Sequence, residues 1–130
     1  MTNKKTQFEF VEEFRKSIQL PINKDLTYLT DRDLAILQKK MLRFIDGHLH
    51  QNPTQVADNL VDMVYLLLGC AHQMGIDFDA IFDIVHSSNM KRNKPNEFEL
   101  TLAEGGHQTT RSMDWEDPEI EISHILSKLK

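Results

Sequence analysis

Cysteine is all but missing: Cys70 is the single one in a 130-residue chain, so no internal disulfide can staple the fold. It sits inside an apolar stretch, where a small core residue is a simpler reading than a reactive thiol. Long hydrophobic runs are missing too. The longest, Met63 to Cys70, falls far short of the roughly 20 residues a helix needs to cross a bilayer. The N-terminal MTNKKTQFEF lacks the apolar segment of a signal peptide. A cytoplasmic protein with no membrane partner is the expectation. Basic residues are in the minority, 15 against 20 acidic ones for a net charge of −5, which argues against a protein built to coat nucleic acid. No nucleic-acid partner is expected. His48, His50 and His72 have no cysteine or histidine spacing around them that would make a zinc site. No internal repeat or low-complexity tract appears.

The chain does have a globular composition, 40% hydrophobic and 27% charged, in a length suited to one domain over residues 1–130. Helical signals dominate. Thr6 with Glu9 has the form of a capping box, followed by Phe10, Val11, Phe14 and Ile18 at helical spacing, with Pro21 beyond them. Thr30 with Asp33 marks a second start, and Leu34, Leu37, Met41, Phe44 and Ile45 form its stripe. Asn52-Pro53 is a cap followed by proline at the first position. Gly75 offers a left-handed stop, and Asp77 precedes a fourth helix with Ile81, Phe82 and Val85 facing inward. Asp117-Pro118 opens the last helix. The reading is an all-α bundle of four to five helices at about 6–19, 31–48, 53–74, 78–90 and 118–128. Residues 20–29 are an extended connection, and 91–117 an irregular segment or short hairpin.

The third helix poses the chemical question. It is apolar around most of its surface, which places it centrally in a bundle and against a second subunit. Yet Asp58 and Asp62 lie four residues apart on one face, with Tyr65 and Gly69 continuing the row. Two carboxylates in such surroundings need a metal or basic side chains to meet them.

The run VADNLVDMVYLLLGCAHQMGID, followed by IFDIVHSSNMKR, resembles the all-α nucleoside triphosphate pyrophosphohydrolases, the MazG-like group. It is most similar to the phosphoribosyl-ATP pyrophosphohydrolase-like branch. FVEEFRKSIQLPIN and DWEDPEI resemble that branch's opening and closing segments. The resemblance implies a helical bundle that forms dimers or tetramers. It also implies magnesium held by a Glu-Glu-x-x-Glu element on one helix and a Glu/Asp-x-x-Asp element on the next. Water then attacks between the α and β phosphates, releasing a nucleoside monophosphate and pyrophosphate.

The chain departs from that pattern at the metal. Aligned on the apolar frame of ILQKKMLRFIDG, the three expected glutamates are Lys39, Lys40 and Arg43. In the second element Asp62 remains, while the acid expected three residues earlier is Asn59; Asp58 is the nearest substitute. Two readings stay open for this cluster. It is an interhelical set of salt bridges filling an old site, or a site where lysine and arginine grip ligand phosphates directly. Asn89 stands where the family contacts its nucleotide, with Lys91 and Arg92 beside it. The expected ligand-binding set is therefore Lys39, Lys40, Arg43, Asp58, Asn59, Asp62, Tyr65, Asn89, Lys91 and Arg92. No cofactor is expected. The functional expectation is a catalytically degenerate relative that sequesters or senses a phosphorylated nucleotide. The alternative is an active pyrophosphohydrolase, with Asp62 and Asp58 holding Mg²⁺. A third possibility is an interaction module that binds no ligand. Trp115 is read as packing or as a base-stacking aromatic.

Overall fold

The computed structural model describes residues 4–22, 29–92 and 117–129. Its helices are α1 (Gln7–Ser17), α2 (Asp31–Leu49), α3 (Pro53–Met74), α4 (Phe78–Arg92) and α5 (Glu119–Leu126), the last followed by a single 3₁₀ turn, Ser127–Leu129. No strand occurs among the described residues, and the fold class is all-α, as the periodicity predicts. The contacts divide the chain into two compact units, one running through Phe78 and holding α1–α3, the other starting at Asp79 and holding the rest of α4 and α5.

The helix starts follow from local side-chain chemistry. Thr6 accepts from the Glu9 amide at 3.1 Å while Glu9 accepts from the Thr6 amide at 2.9 Å. Thr30 and Asp33 repeat this reciprocal box at 3.2 and 2.9 Å. Asn52 Oδ1 accepts from the Gln55 amide at 3.1 Å, with Pro53 opening α3. Each arrangement satisfies amides that the first helical turn leaves unpaired. In α5 the Glu119 amide donates to Asp117 Oδ1 at 3.0 Å.

The helix ends agree with expectation for α3 and lie close to it for α2, while α1 is shorter. Gly75 does terminate α3 in the left-handed region, at φ 74°. Helices α1 and α2 stop the same way, but on glutamines: Gln19 at φ 60° and Gln51 at φ 54°. After α1, the Gln19 and Leu20 amides return to the Lys16 and Arg15 carbonyls; after α2, those of Gln51 and Asn52 return to His48 and Gly47. These paired bonds are the Schellman pattern. Thus α1 ends at Ser17, before Pro21 and short of the expected 19. Helix α2 passes through Gly47 to Leu49. Lys91 and Arg92, expected in the irregular segment, instead complete α4. Residues 93–116, including Trp115, lie outside the described residues, as do 23–28 of the expected extended connection.

Gly47 sits inside α2 because α3 passes close to it. A Cβ built there would lie 3.1 Å from Gln55 Cβ, Gln55 Cγ and the Val56 nitrogen. The short turn 50–52 therefore folds α3 back antiparallel along α2. Helix α1 packs on the other side of α3. There Phe8, Val11, Leu68 and Ala71 form the buried core, with Ile76 and Phe78 against it. The Phe8 and Phe78 rings lie 5.7 Å apart. Burying each large side chain of this kind contributes about 1.5–3 kcal/mol. Helix α3 is thus central in its unit, yet Leu60, Val61, Val64 and Leu67 remain exposed, as do Phe10, Phe14 and Ile18 of α1.

In the second unit, Ile81, Ile84, Val85 and Ser88 form the more buried stripe of α4. Phe82, expected on that stripe, is exposed because it lies about 100° around the helix from Ile81. Its ring stacks on His86, centroids 6.5 Å apart and planes 13° off parallel.

Candidate functional site

The antiparallel pairing of α2 and α3 brings the two charge-bearing segments together. Lys40 Nζ lies 2.9 Å from Asp62 Oδ2, both side chains being partly exposed. Lys39 and Arg43, at i and i+4 on α2, are exposed. Among the described residues neither they nor Asp58 forms an ion pair. One cation of the three is therefore spoken for, and two face solvent.

The end of this site nearest the turn is fixed by Gln55. Its side-chain Nε2 donates to the Arg43 carbonyl at 2.9 Å and to Asp46 Oδ2 at 3.0 Å. That clamp sets the register that carries Lys40 to Asp62. Sequence reasoning missed Gln55, although it lies one turn into a capped helix that had to fold back on α2.

Asn59 is 1% exposed, and its Nδ2 donates to the Gln55 carbonyl one turn back, at 2.8 Å. A carboxylate could not make that bond, so the amide fits its surroundings. Tyr65 turns toward α1, edge-on to Phe14 at 5.8 Å. It lines an apolar groove of about 430 Å³ with Phe10, Val11, Leu60, Val61, Val64 and Leu68. Asn89, Lys91 and Arg92 belong to the second unit, on the last turns of α4. Within that unit Lys91 borders a concavity of about 330 Å³ with Asp83, Ser87, Ser88 and Glu121.

A second polar centre, not legible in the residue pattern, lies where α1 covers the far end of α3. Arg15 Nε donates to His72 Nδ1 at 2.8 Å, and Arg15 Nη2 to the Pro21 carbonyl at 3.2 Å. Accepting from a guanidinium fixes His72 as the neutral Nε2–H tautomer. His72 is 2% exposed and its Nε2 has no hydrogen-bond partner, Glu12 Oε2 being 3.9 Å away. Burial, reinforced by the Arg15 charge, holds His72 below the usual imidazole range. Nearby, burial pushes the Cys70 thiol up, which suits an inert core cysteine. The Thr30 amide, donating to Asp33 in the capping box, draws that carboxyl down.

The family model for phosphoribosyl-ATP pyrophosphohydrolase matches residues 11–89, more than half of the chain and all of the α2–α3 hairpin. The chain belongs to that family, within the all-α nucleoside triphosphate pyrophosphohydrolases. No curated protein matches it.

Family membership makes the donor set the deciding test for magnesium. Among the described residues no three His, Cys, Asp or Glu side chains gather where they could hold a metal ion. At the expected place stand three bases and two aspartates, one of which is bonded to Lys40. A magnesium ion takes hard oxygen ligands, usually carboxylates shared with substrate phosphates. Among the described residues Asp58 and Asp62 are the carboxylates at this place, and no third joins them. Among the described residues no helix is long and apolar enough to cross a membrane.

Proposed function

We propose that this chain is a catalytically degenerate pyrophosphohydrolase-family protein that binds a phosphorylated nucleotide, to sequester or sense it. Lys39, Lys40 and Arg43 hold the phosphates, with Asp58 and Asp62 on the facing helix and Asn59 buried behind them. The observation that carries this reading is the 2.9 Å Lys40–Asp62 pair, which occupies the surviving family carboxylate with an ammonium group. Lys39 and Arg43 remain exposed and without ion pairs among the described residues, which weighs against a closed, fully neutralised cluster. Arginine and lysine are suited to phosphate oxygens, arginine as a two-pronged donor and lysine as a compact charge. Binding asks for no transition-state stabilisation, so affinity can persist where turnover is lost. Isothermal titration against a panel of nucleotides and cyclic nucleotides, without metal, tests it. Heat from at least one member is expected, and none across the panel defeats the reading.

Family membership favours one alternative, hydrolysis of a nucleoside triphosphate to monophosphate and pyrophosphate. Pyrophosphate release with Mg²⁺ or Mn²⁺, abolished by Asp62→Ala, would establish that activity instead. The proposal also includes self-association as a dimer or tetramer in the cytoplasm. It is supported by the exposed apolar faces of α1 and α3 and the groove between them, patches of a kind that monomers seldom leave to water.

A further inference from the structure

Asp62 is the residue whose role changes most when the facing helix carries bases. In a metal site its carboxylate binds substrate through the metal. Here its Oδ2 lies 2.9 Å from Lys40 Nζ, so it already occupies the cation that a phosphate would use. A phosphate oxygen and a carboxylate oxygen are equivalent acceptors for an ammonium group. They compete for it. Asp58, one turn earlier on the same face, adds a second negative charge beside the competitor. Both side chains of the pair are partly exposed, so Lys40 can exchange partners without uncovering a buried charge.

No third carboxylate joins Asp58 and Asp62 among the described residues to gather a metal ion. Asn59, at the second carboxylate position, is a buried amide committed to the Gln55 carbonyl. A magnesium ion on a polyphosphate cancels two of its negative charges. It also brings a divalent cation toward Lys39, Lys40 and Arg43.

From this geometry, and resting on the phosphate-binding reading above, we infer two linked properties. The site takes the metal-free polyphosphate, with Mg²⁺ opposing binding. Asp62 is an internal competitor that the ligand displaces from Lys40, not a metal ligand.

Titration of inorganic tripolyphosphate into the full chain and into Asp62→Asn, each in EDTA and in excess Mg²⁺, tests both properties. In EDTA, Asp62→Asn should bind up to roughly fivefold tighter, the scale of one exposed ion pair. For the wild type, Mg²⁺ should weaken binding roughly tenfold, because two charges are removed from contact with the bases. Tighter binding in Mg²⁺, or loss of binding on Asp62→Asn with the helical signal intact, overturns the inference. The wild-type comparison needs no variant, so a misfolded Asp62→Asn would still leave it decided. Absence of tripolyphosphate binding to either protein in both buffers overturns the phosphate-site reading itself, and so registers as a different failure.

Discussion

Gly47 and Gly69 are both buried inside helices, and replacing each by alanine should move stability in opposite directions. Removing a glycine from a helix interior stabilises by up to about 1 kcal/mol from propensity alone. At Gly69 a new Cβ would meet Arg15 Nη1 at 3.8 Å and Arg15 Cδ and Val11 Cγ1 at 3.9 Å, which are ordinary contact distances. Gly69→Ala should therefore keep the gain, raising the melting temperature by roughly 4 °C for a chain of this size. At Gly47 the Cβ would fall 3.1 Å from Gln55 Cβ, Gln55 Cγ and the Val56 nitrogen. Neither neighbour can easily yield: Gln55 is tied to Arg43 and Asp46, and the Val56 amide to the Asn52 carbonyl. Overpacking of this kind costs about 1–3 kcal/mol, so Gly47→Ala should lose a net ~1 kcal/mol after the propensity gain. Urea unfolding followed by circular dichroism reads both variants on one scale. If Gly47→Ala proved as stable as Gly69→Ala, the close α2–α3 approach that carries Lys40 to Asp62 would be refuted.

Gln51→Gly should stabilise by about 1 kcal/mol, since a left-handed backbone strains any residue with a Cβ; a lower denaturation midpoint would show that α2 ends differently. His72 gives the fold a pH dependence. Its native pKa lies below the ordinary 6.5, so below that pH the unfolded chain takes up a proton that the native state refuses. Stability should be flat with respect to this group above pH 6.5 and fall as the pH drops toward the native pKa. His72→Asn, which keeps an acceptor for Arg15, should flatten that slope in denaturation curves measured across the window. Asn59→Asp should cost about 2 kcal/mol at neutral pH by burying a carboxylate against the Gln55 carbonyl. Part of the loss should return on acidification, which denaturation at two pH values would reveal.

The features legible in the sequence are those set by a few adjacent residues. The Thr6–Glu9 and Thr30–Asp33 boxes, the Asn52-Pro53 start and the Gly75 stop each depend on chemistry within one helical turn. The meeting of Lys40 with Asp62 was anticipated through the family resemblance, which sets the second helix against the third. The glutamine-ended helices were not readable, since nothing in the identity of Gln19 or Gln51 distinguishes them from helix-forming glutamines. The role of Gly47 was not readable for a related reason: glycine serves both left-handed turns and close helix approach, and only the position of Gln55 decides. The Arg15–His72 bond spans 57 positions in the chain. It depends on how α1 lies over α3, which helical periodicity does not encode. Phe82 shows the limit of an apolar pattern on a short amphipathic helix, where hydrophobic residues fall on more than one side.

Whether Lys39, Lys40 and Arg43 have taken over phosphate recognition from a metal can be asked most directly by calorimetry in metal-free buffer. Each nucleotide of the panel would be titrated into the wild-type chain and into Lys39→Glu/Arg43→Glu. Both substituted side chains are exposed, so the fold should survive. The wild type should bind at least one nucleotide, and the double variant should lose roughly a hundredfold or more in affinity, the scale of two charge-assisted contacts. Equal binding by both proteins would contradict phosphate recognition through these bases.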